Sequence, residues 1–479
     1  MKVLLINPSS ELNISSKKYN RFVSALPPLG IAYVASVLEK DGFDVSIEDQ
    51  FASKITNMQL LGRIRELSPD VIGFSCLTTV LGNVRILVRE IRAQNKNIRI
   101  VLGNLHPTLF AEEVLREGIA DVVVRGEGEY SMRDALRAIA QKKGLSEVKG
   151  ISFYESGQVF HSPDKELIED LESLPYPSWH LFDLRHYTHF PIIGVYNELV
   201  LPVQSSRGCP YRCYFCSQDK IYPRTRYRSV KNVVDEIQEL KEKLNVRYFG
   251  FNDAYFPFST NHGMEFCDEL VRRKLHKEIR WITETRVDKV SEKLLFRMKE
   301  AGLKLILYGF ESGNQQILDR ICKEATLEQA RRAVAMTKKA GIMISGLFIL
   351  GLPGETKKTC LDTVRFAKEL SPEIAKFNIA VPFPGSMFFE DFKKKSGGSS
   401  DYKTFTSWYD YYSSRGELIY SPDGISSNEL RKLQRRAMFE YYFRFSQIRT
   451  LIVKRIFSFK DLLYGAYILL SSLVCRTRQ

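Results

Sequence analysis

The residues with the clearest chemistry are Arg207-Gly208-Cys209-Pro210-Tyr211-Arg212-Cys213-Tyr214-Phe215-Cys216, which follow an apolar run over residues 199–203. The three cysteines are separated by three and then two residues, on what the pattern predicts to be a loop after a strand. Thiolates at that spacing can hold three irons of a [4Fe-4S] cubane and leave the fourth without a protein ligand. An iron with an open position is a reaction site. Clusters that only carry electrons usually take four thiolates, and structural zinc closes a four-ligand shell of Cys and His. The next cysteine, Cys267, falls inside a helical pattern, so a zinc site would need a ligand such as His262.

The elements that must position this loop lie in residues 199–395. Strand-like runs recur near 199–204, 247–251, 279–283, 305–310, 343–350 and 377–381, with helical patterns between them. Six βα units are fewer than the eight of a closed barrel, and in such assemblies chemistry sits at the carboxyl ends of the strands. The second run leads into Asn252-Asp253-Ala254-Tyr255-Phe256, where Asp253 can accept hydrogen bonds from an ammonium or cap the next helix. The third ends in Glu284-Thr285-Arg286, where Arg286 can meet a ligand carboxylate or pair with Glu284. Glu311, in Gly309-Phe310-Glu311-Ser312-Gly313, is a carboxylate directly after an apolar strand. It is expensive to bury without a partner, which makes it a site candidate, with a surface acid as the plain alternative.

Residues 1–149 alternate five short apolar runs with helical patterns, which predicts a doubly wound parallel sheet of flavodoxin type. Its ligand should lie beyond the carboxyl ends of the strands. Those ends read Ser75-Cys76-Leu77-Thr78-Thr79, Gly103-Asn104-Leu105-His106-Pro107-Thr108 and Arg125-Gly126-Glu127-Gly128-Glu129. Small residues there let a flat, bulky ligand approach the backbone. His106 either hydrogen-bonds such a ligand or caps a turn before Pro107.

The cysteine stretch resembles the CxxxCxxC signature of the radical SAM family, including Gly208 before the first Cys and Phe215 before the last. Asn252 to Phe256 resembles that family's Phe-x-Asp-x-x-Phe variant, Gly309 to Ser312 its Gly-x-Glu-Ser element, and Gly351-Leu352-Pro353-Gly354-Glu355-Thr356 its GLPGET segment. With Leu26-Pro27-Pro28-Leu29-Gly30, the first region resembles the cobalamin (B12)-binding domain that precedes many radical SAM domains. Its SxL element reads Ser75-Cys76-Leu77, and the usual glycine pair reads Gly103-Asn104.

The resemblance implies an α/β chain. A flavodoxin-like B12-binding-type domain (residues 1–149) and a linker (150–198) precede a partial (β/α)6 radical SAM barrel (199–395) and a mostly helical tail (396–479). It implies that Cys209, Cys213 and Cys216 hold the catalytic cluster, and that Phe215, Asn252, Asp253, Glu311 and Ser312 surround S-adenosylmethionine (SAM). Ser75, Leu77, Gly103, His106, Thr108, Gly126 and Glu127 are expected against cobalamin. The Asp-x-His-x-x-Gly loop of cobalamin mutases is replaced by Pro8-Ser9-Ser10-Glu11, and the first histidine is His106, so a lower axial ligand is not supplied in that way. The implied chemistry is cleavage of SAM to a 5′-deoxyadenosyl radical, with reduced flavodoxin or ferredoxin as electron donor. The expected outcome is methylation of an unactivated carbon of a hydrophobic or anionic small molecule or lipid. The rivals are oxidative cyclisation, rearrangement or carbon–carbon coupling of a tetrapyrrole or lipid, and tRNA modification.

Composition bounds these readings without choosing among them. A chain of 479 residues exceeds one ordinary core. Hydrophobic content of 44% and charged content of 26% are globular values. Eight cysteines and no secretory leader pattern point to a reducing, cytoplasmic setting. A formal charge of +14 suits an anionic substrate, a membrane surface or nucleic acid. Nucleic acid is not expected, because the tail shows no recognisable RNA-binding module. An apolar run at residues 462–475 follows basic and aromatic residues and is shorter than the roughly twenty needed to span a bilayer. That suits a segment lying on the cytoplasmic membrane face, with a docked helix as the competing arrangement.

Overall fold

The computed structural model describes residues 1–10, 25–190, 194–395 and 418–454. The chain divides into two compact units. One comprises Met1–Tyr187, Ser217–Arg228 and Pro384–Gly416; the other comprises Thr188–Cys216, Ser229–Phe383 and Glu417–Gln479.

The first unit is built on β1 (Lys2–Asn7), β2 (Asp44–Asp49), β3 (Val71–Ser75), β4 (Arg99–Gly103) and β5 (Val122–Val124), all parallel. Val3 to Ile6 and all of β5 are buried, as expected of strands covered by helices on both faces. The helices include α1 (Leu29–Lys40), α2 (Asn57–Leu67), α3 (Leu81–Gln94), α4 (Ala111–Arg116) and α5 (Gly128–Ala140). The region read as a linker begins with β6 (Ile151–Glu155) and β7 (Gln158–His161), which extend this sheet antiparallel to the order β2-β1-β3-β4-β5-β6-β7. Their turn has φ of +50° at Ser156 and +84° at Gly157, the backbone of a tight two-residue hairpin loop.

In the second unit β8 (Val200–Val203), β9 (Tyr248–Phe251), β10 (Arg280–Thr285), β11 (Leu303–Glu311), β12 (Met343–Leu350) and β13 (Ile374–Ile379) form one parallel sheet in sequential order. Between them lie α6 (Val230–Leu244), α7 (Thr260–Arg272), α8 (Glu292–Glu300), α9 (Leu327–Lys339) and α10 (Lys357–Leu370). Each starts behind a Ser or Thr cap, namely Ser229, Ser259, Ser291, Thr326 and Thr356, whose hydroxyl accepts a free backbone N–H of the first turn. On the outer face, Phe310, Phe348 and Phe377 stack at 5.3 Å between successive centroids, and Phe377 meets Tyr441 edge-on at 6.1 Å. Leu307, Leu347, Ile349, Lys376 and Asn378 alternate with these buried residues and therefore line the inner face.

Tyr441 lies on α11 (Ser427–Tyr442), which with α12 (Phe445–Val453) covers the last strand. Tyr442 Oη accepts from the Ala375 backbone N–H at 3.0 Å and donates to the Ala375 carbonyl at 2.9 Å. Gln434 donates to the Phe377 carbonyl at 2.8 Å, and Gln447 to the Glu373 carbonyl at 2.7 Å. Side chains thus take up backbone groups of an edge that would otherwise invite another strand. The break at residues 396–400, the aromatic segment at 408–412 and the apolar run at 462–475 lie outside the described residues. Among the described residues no helix is long and apolar enough to cross a membrane.

Candidate active site

The cysteine loop is anchored at both ends. Before it, Asp253 accepts the Ser205 backbone N–H at 2.9 Å, the Ser205 hydroxyl at 2.5 Å and the Ser206 hydroxyl at 2.6 Å. This carboxylate, expected to receive an ammonium, holds the crossing from β8 toward Cys209, while its neighbour Asn252 stays exposed. Within the loop, the Arg286 guanidinium lies 3.5 Å from the centroid of the Tyr211 ring. Arg286 is itself fixed by Asp288 Oδ1 and the Glu324 carbonyl, each at 2.8 Å, and does not pair with Glu284. The Tyr214 N–H donates to the Ile321 carbonyl at 2.9 Å.

Cys209, Cys213 and Phe215 are half-buried and Cys216 is exposed. Burial pushes the Cys213 thiol up to about 11 and raises Cys209 as well. The charge of Cys216 acts on both, and Lys323 and Arg286 pull both the other way. The three thiols are therefore electrostatic neighbours under two cations, although among the described residues no trio of His, Cys, Asp or Glu is already drawn into a metal-ligand shell. Three sulfur donors on one loop, with cations to balance a thiolate-bound cluster, fit a [4Fe-4S] centre with one open iron.

Beside Cys213 sits a buried ion pair. Glu311 and Lys323 have side chains 10% and 9% exposed, and Lys323 Nζ donates to Glu311 Oε1 at 2.7 Å. Burial draws the ammonium down, but Glu311 and Cys213 more than offset it and hold the lysine above its usual range. Glu311 has φ +61°, a left-handed conformation that a non-glycine residue rarely adopts, at a register shift between Gly309 and Glu311. The chain bends there so that the carboxylate folds back over Gly309. A Cβ on residue 309 would stand 2.4 Å from Glu311 Oε1 and 2.9 Å from Lys323 Nζ. Glu284, on β10, opens onto the inner face yet is hemmed in by protein. That confinement, then repulsion from Glu311, pushes its carboxyl up to about 7 against the pull of Lys323 and Lys376.

Ser312, expected to touch SAM, is fully buried. Its hydroxyl accepts the Asn314 N–H at 3.2 Å and pairs with Thr363 at 3.3 Å, so it fixes a turn and has no surface for a ligand. In the Gly351 to Thr356 loop, Glu355 accepts the backbone N–H groups of Gly351 at 2.6 Å and Leu352 at 2.9 Å. A Cβ on Gly351 would lie 2.5 Å from Leu430 of α11, so only glycine admits that helix so close.

In the first unit, Ser75, Gly103 and Gly126 are partly open at the strand ends, and Leu77 is 45% exposed. A Cβ on Gly126 would meet nothing within 4 Å, and one on Gly103 would only graze Val124 at 4.0 Å. Asn104 adopts φ +85° in the position where a second glycine was expected, held by its own Oδ1 accepting from Leu105 N–H and its amide donating to Ser75 Oγ. Thr108 Oγ1 accepts the Gly126 N–H at 3.1 Å and ties the two loops together. Small residues and one exposed leucine make a shelf that suits a flat macrocycle.

Two expected contacts are corrected. His106 is fully buried, hydrogen-bonded to Thr78 Oγ1 at 3.0 Å and lowered to about 3 by burial, so it packs behind the shelf and offers no face to a corrin. Glu127 forms a buried pair with Arg226 at 2.7 Å and accepts the Ile168 N–H at 2.9 Å. Sequence reasoning missed Lys323 and Arg226. Lys323 follows Glu311 by twelve positions, between left-handed residues Cys322 and Glu324. A lysine so close to a buried strand-end acid was the available signal.

A doubly wound domain with small, partly open residues at its strand ends, followed by a partial barrel with a three-thiol loop, points to a cobalamin-associated radical enzyme class. Residues 20–136 match the B12 binding domain and residues 203–367 the Radical SAM superfamily. The chain is 30% identical over 448 residues to an uncharacterized methyltransferase of Pyrococcus horikoshii, covering 93% of each. It is 31% identical over 459 residues to the anaerobic magnesium-protoporphyrin IX monomethyl ester cyclase of Rubrivivax gelatinosus, covering 92% of this chain and 79% of that one. Its fold is similar to that of the radical SAM methyltransferase TsrM of Kitasatospora setae, with a TM-score of 0.67 at 19% identity over 83% of this chain and 77% of that one. The protein belongs to the radical SAM family whose members carry an N-terminal B12-binding domain, and is a radical SAM enzyme.

Proposed function

We propose that this enzyme transfers a methyl group from SAM to an unactivated carbon of a hydrophobic or anionic metabolite. The observation that carries the reading is the near full-length match, 93% of each chain, to a relative named a methyltransferase. When bound, the cluster supplies the electron that cleaves SAM to methionine and a 5′-deoxyadenosyl radical, and cobalamin carries the methyl group.

In this reading Cys209, Cys213 and Cys216 hold the cluster on a loop kept in place by Asp253 and Arg286. Lys323 and Glu311 present a cation and a carboxylate beside it, suited to the carboxylate and ammonium ends of an amino acid. Asn252 and Phe215 complete that surround. Ser75, Leu77, Gly103, Thr108 and Gly126 form the corrin shelf. Reduced flavodoxin or ferredoxin is the proposed electron donor, and the basic, aromatic tail the proposed contact with a membrane surface.

Oxidative cyclisation is the second reading, favoured by the 31% identity to a named cyclase. Anaerobically reconstituted, reduced enzyme incubated with methyl-labelled SAM and cell extract separates the two. Label on a product carbon is expected; 5′-deoxyadenosine formed with no label in any product rejects methyl transfer.

A further inference from the structure

The inner face of the barrel is asymmetric. On β13, Lys376 and Asn378 both project inward and are exposed. Among the described residues no ion pair or hydrogen bond engages either side chain. Their register partners on β12 are Leu347 and Ile349, and Leu307 continues the same face on β11; all three are apolar and only half-buried. Glu284, on β10, feels the charge of Lys376 without pairing with it. A half-open apolar strip on β11 and β12 thus lies between a cation and an amide on β13 and the Glu284 carboxyl on β10. Neighbouring strands lie about 4.8 Å apart, so β10 and β13 are about 14 Å apart along the sheet, and less across its concave face.

We infer that Lys376 and Asn378 anchor the acid group of the substrate, and that Leu307, Leu347 and Ile349 bear its apolar body. The substrate is then an amphiphilic acid, a carboxylate or phosphate on a hydrophobic frame. This rests on the proposed methyl transfer to a hydrophobic or anionic metabolite, and it narrows that metabolite to one that is both. An ammonium beside an amide donor is a pair of hydrogen-bond donors for one oxyanion. The leucine and isoleucine side chains gain by burial against hydrocarbon what they forgo by standing half open to water. Lys376 is a specificity residue in this scheme and takes no part in cleaving SAM.

The test is equilibrium binding to the anaerobically reconstituted full chain, followed by dye fluorescence. The probes are 11-(dansylamino)undecanoic acid and its methyl ester, with laurate and dodecyl phosphate as competitors. The acid should bind at least about tenfold more tightly than the ester, and K376M should lower acid binding about tenfold to the level of the ester. K376R should stay within about threefold of the unsubstituted chain, because the charge is kept. The stronger competitor names the acid group. Equal binding of acid and ester, parallel loss of both in K376M, or no binding of either probe overturns the inference. The acid-to-ester contrast needs no variant, so a misfolded K376M does not shield the idea. Binding that behaves as expected in an enzyme that transfers no methyl group would sink the proposed reaction and leave this site standing.

Discussion

Lys323 Nζ meets Glu311 Oε1 at 2.7 Å in the space that a side chain on residue 309 would fill. A glycine, a left-handed glutamate and a lysine twelve residues further on therefore form one device. Replacing Gly309 by alanine drives a methyl group into the ion pair. G309A should retain most of its fold but lose at least about tenfold in 5′-deoxyadenosine formation. K323M should be worse for stability, by about 3–5 kcal/mol, because it leaves Glu311 buried and uncompensated. Urea denaturation alongside the SAM-cleavage assay checks both.

Asp253 offers a way to tell a positioning role from ligand contact. Its oxygens accept two hydroxyls and one backbone N–H ahead of the cysteine loop. In D253N the NH2 cannot accept, so the serine hydroxyls must turn to accept from it while a neutral oxygen replaces the carboxylate at the Ser205 N–H, a loss of about 1–3 kcal/mol. Iron and sulfide taken up on reconstitution should fall together with the melting temperature. A D253N chain with normal stability and full iron content would mean that the carboxylate serves only the ligand.

The first unit has its own buried pair, Arg226 with Glu127, both side chains 5% exposed. R226M should destabilise that unit by about 3–5 kcal/mol and weaken cobalamin uptake measured by visible absorption. The double change R226M with E127Q should recover much of the stability, because no lone charge remains. If the double variant is as unstable as R226M, the guanidinium is needed for its packing and not for its charge.

Glu355 makes a pH signature. Burial pushes its carboxyl up to about 7, partly countered by the backbone donors of Leu352 and Gly351. The folded state thus holds its proton more tightly than the unfolded chain, whose carboxyl keeps the ordinary value near 4.5. The associated stability is complete below that ordinary value and disappears as pH rises through about 7. Comparing urea midpoints at low and neutral pH should show a difference of order 2–3 kcal/mol that shrinks in E355Q. An unchanged slope in E355Q would assign the effect to other groups.

Much of this architecture was legible because it is local. The cysteine spacing and the period of the apolar runs are read within a few residues of one another, whereas the helix cap expected at Asp253 falls instead on Ser259. The hairpin at Glu155-Ser156-Gly157 was equally plain, but its addition to the first sheet depends on a pairing with β5 across about thirty residues. The site was less legible wherever a polar residue served the backbone instead of a ligand. Ser312, His106 and Glu127 occupy loops of the right kind, yet their burial and partners come from segments distant in sequence. Conversely, Lys323 became part of the site only because Cys322 and Glu324 turn the chain back upon Glu311.

The hydroxyl of Tyr442 and the amides of Gln434 and Gln447 occupy main-chain positions along the outermost strand of the barrel. A strand from a second copy or a stray peptide cannot pair with those groups without first displacing the helices that carry these side chains. The open side of the sheet is therefore guarded against fibril-like growth by side chains, with no capping strand required.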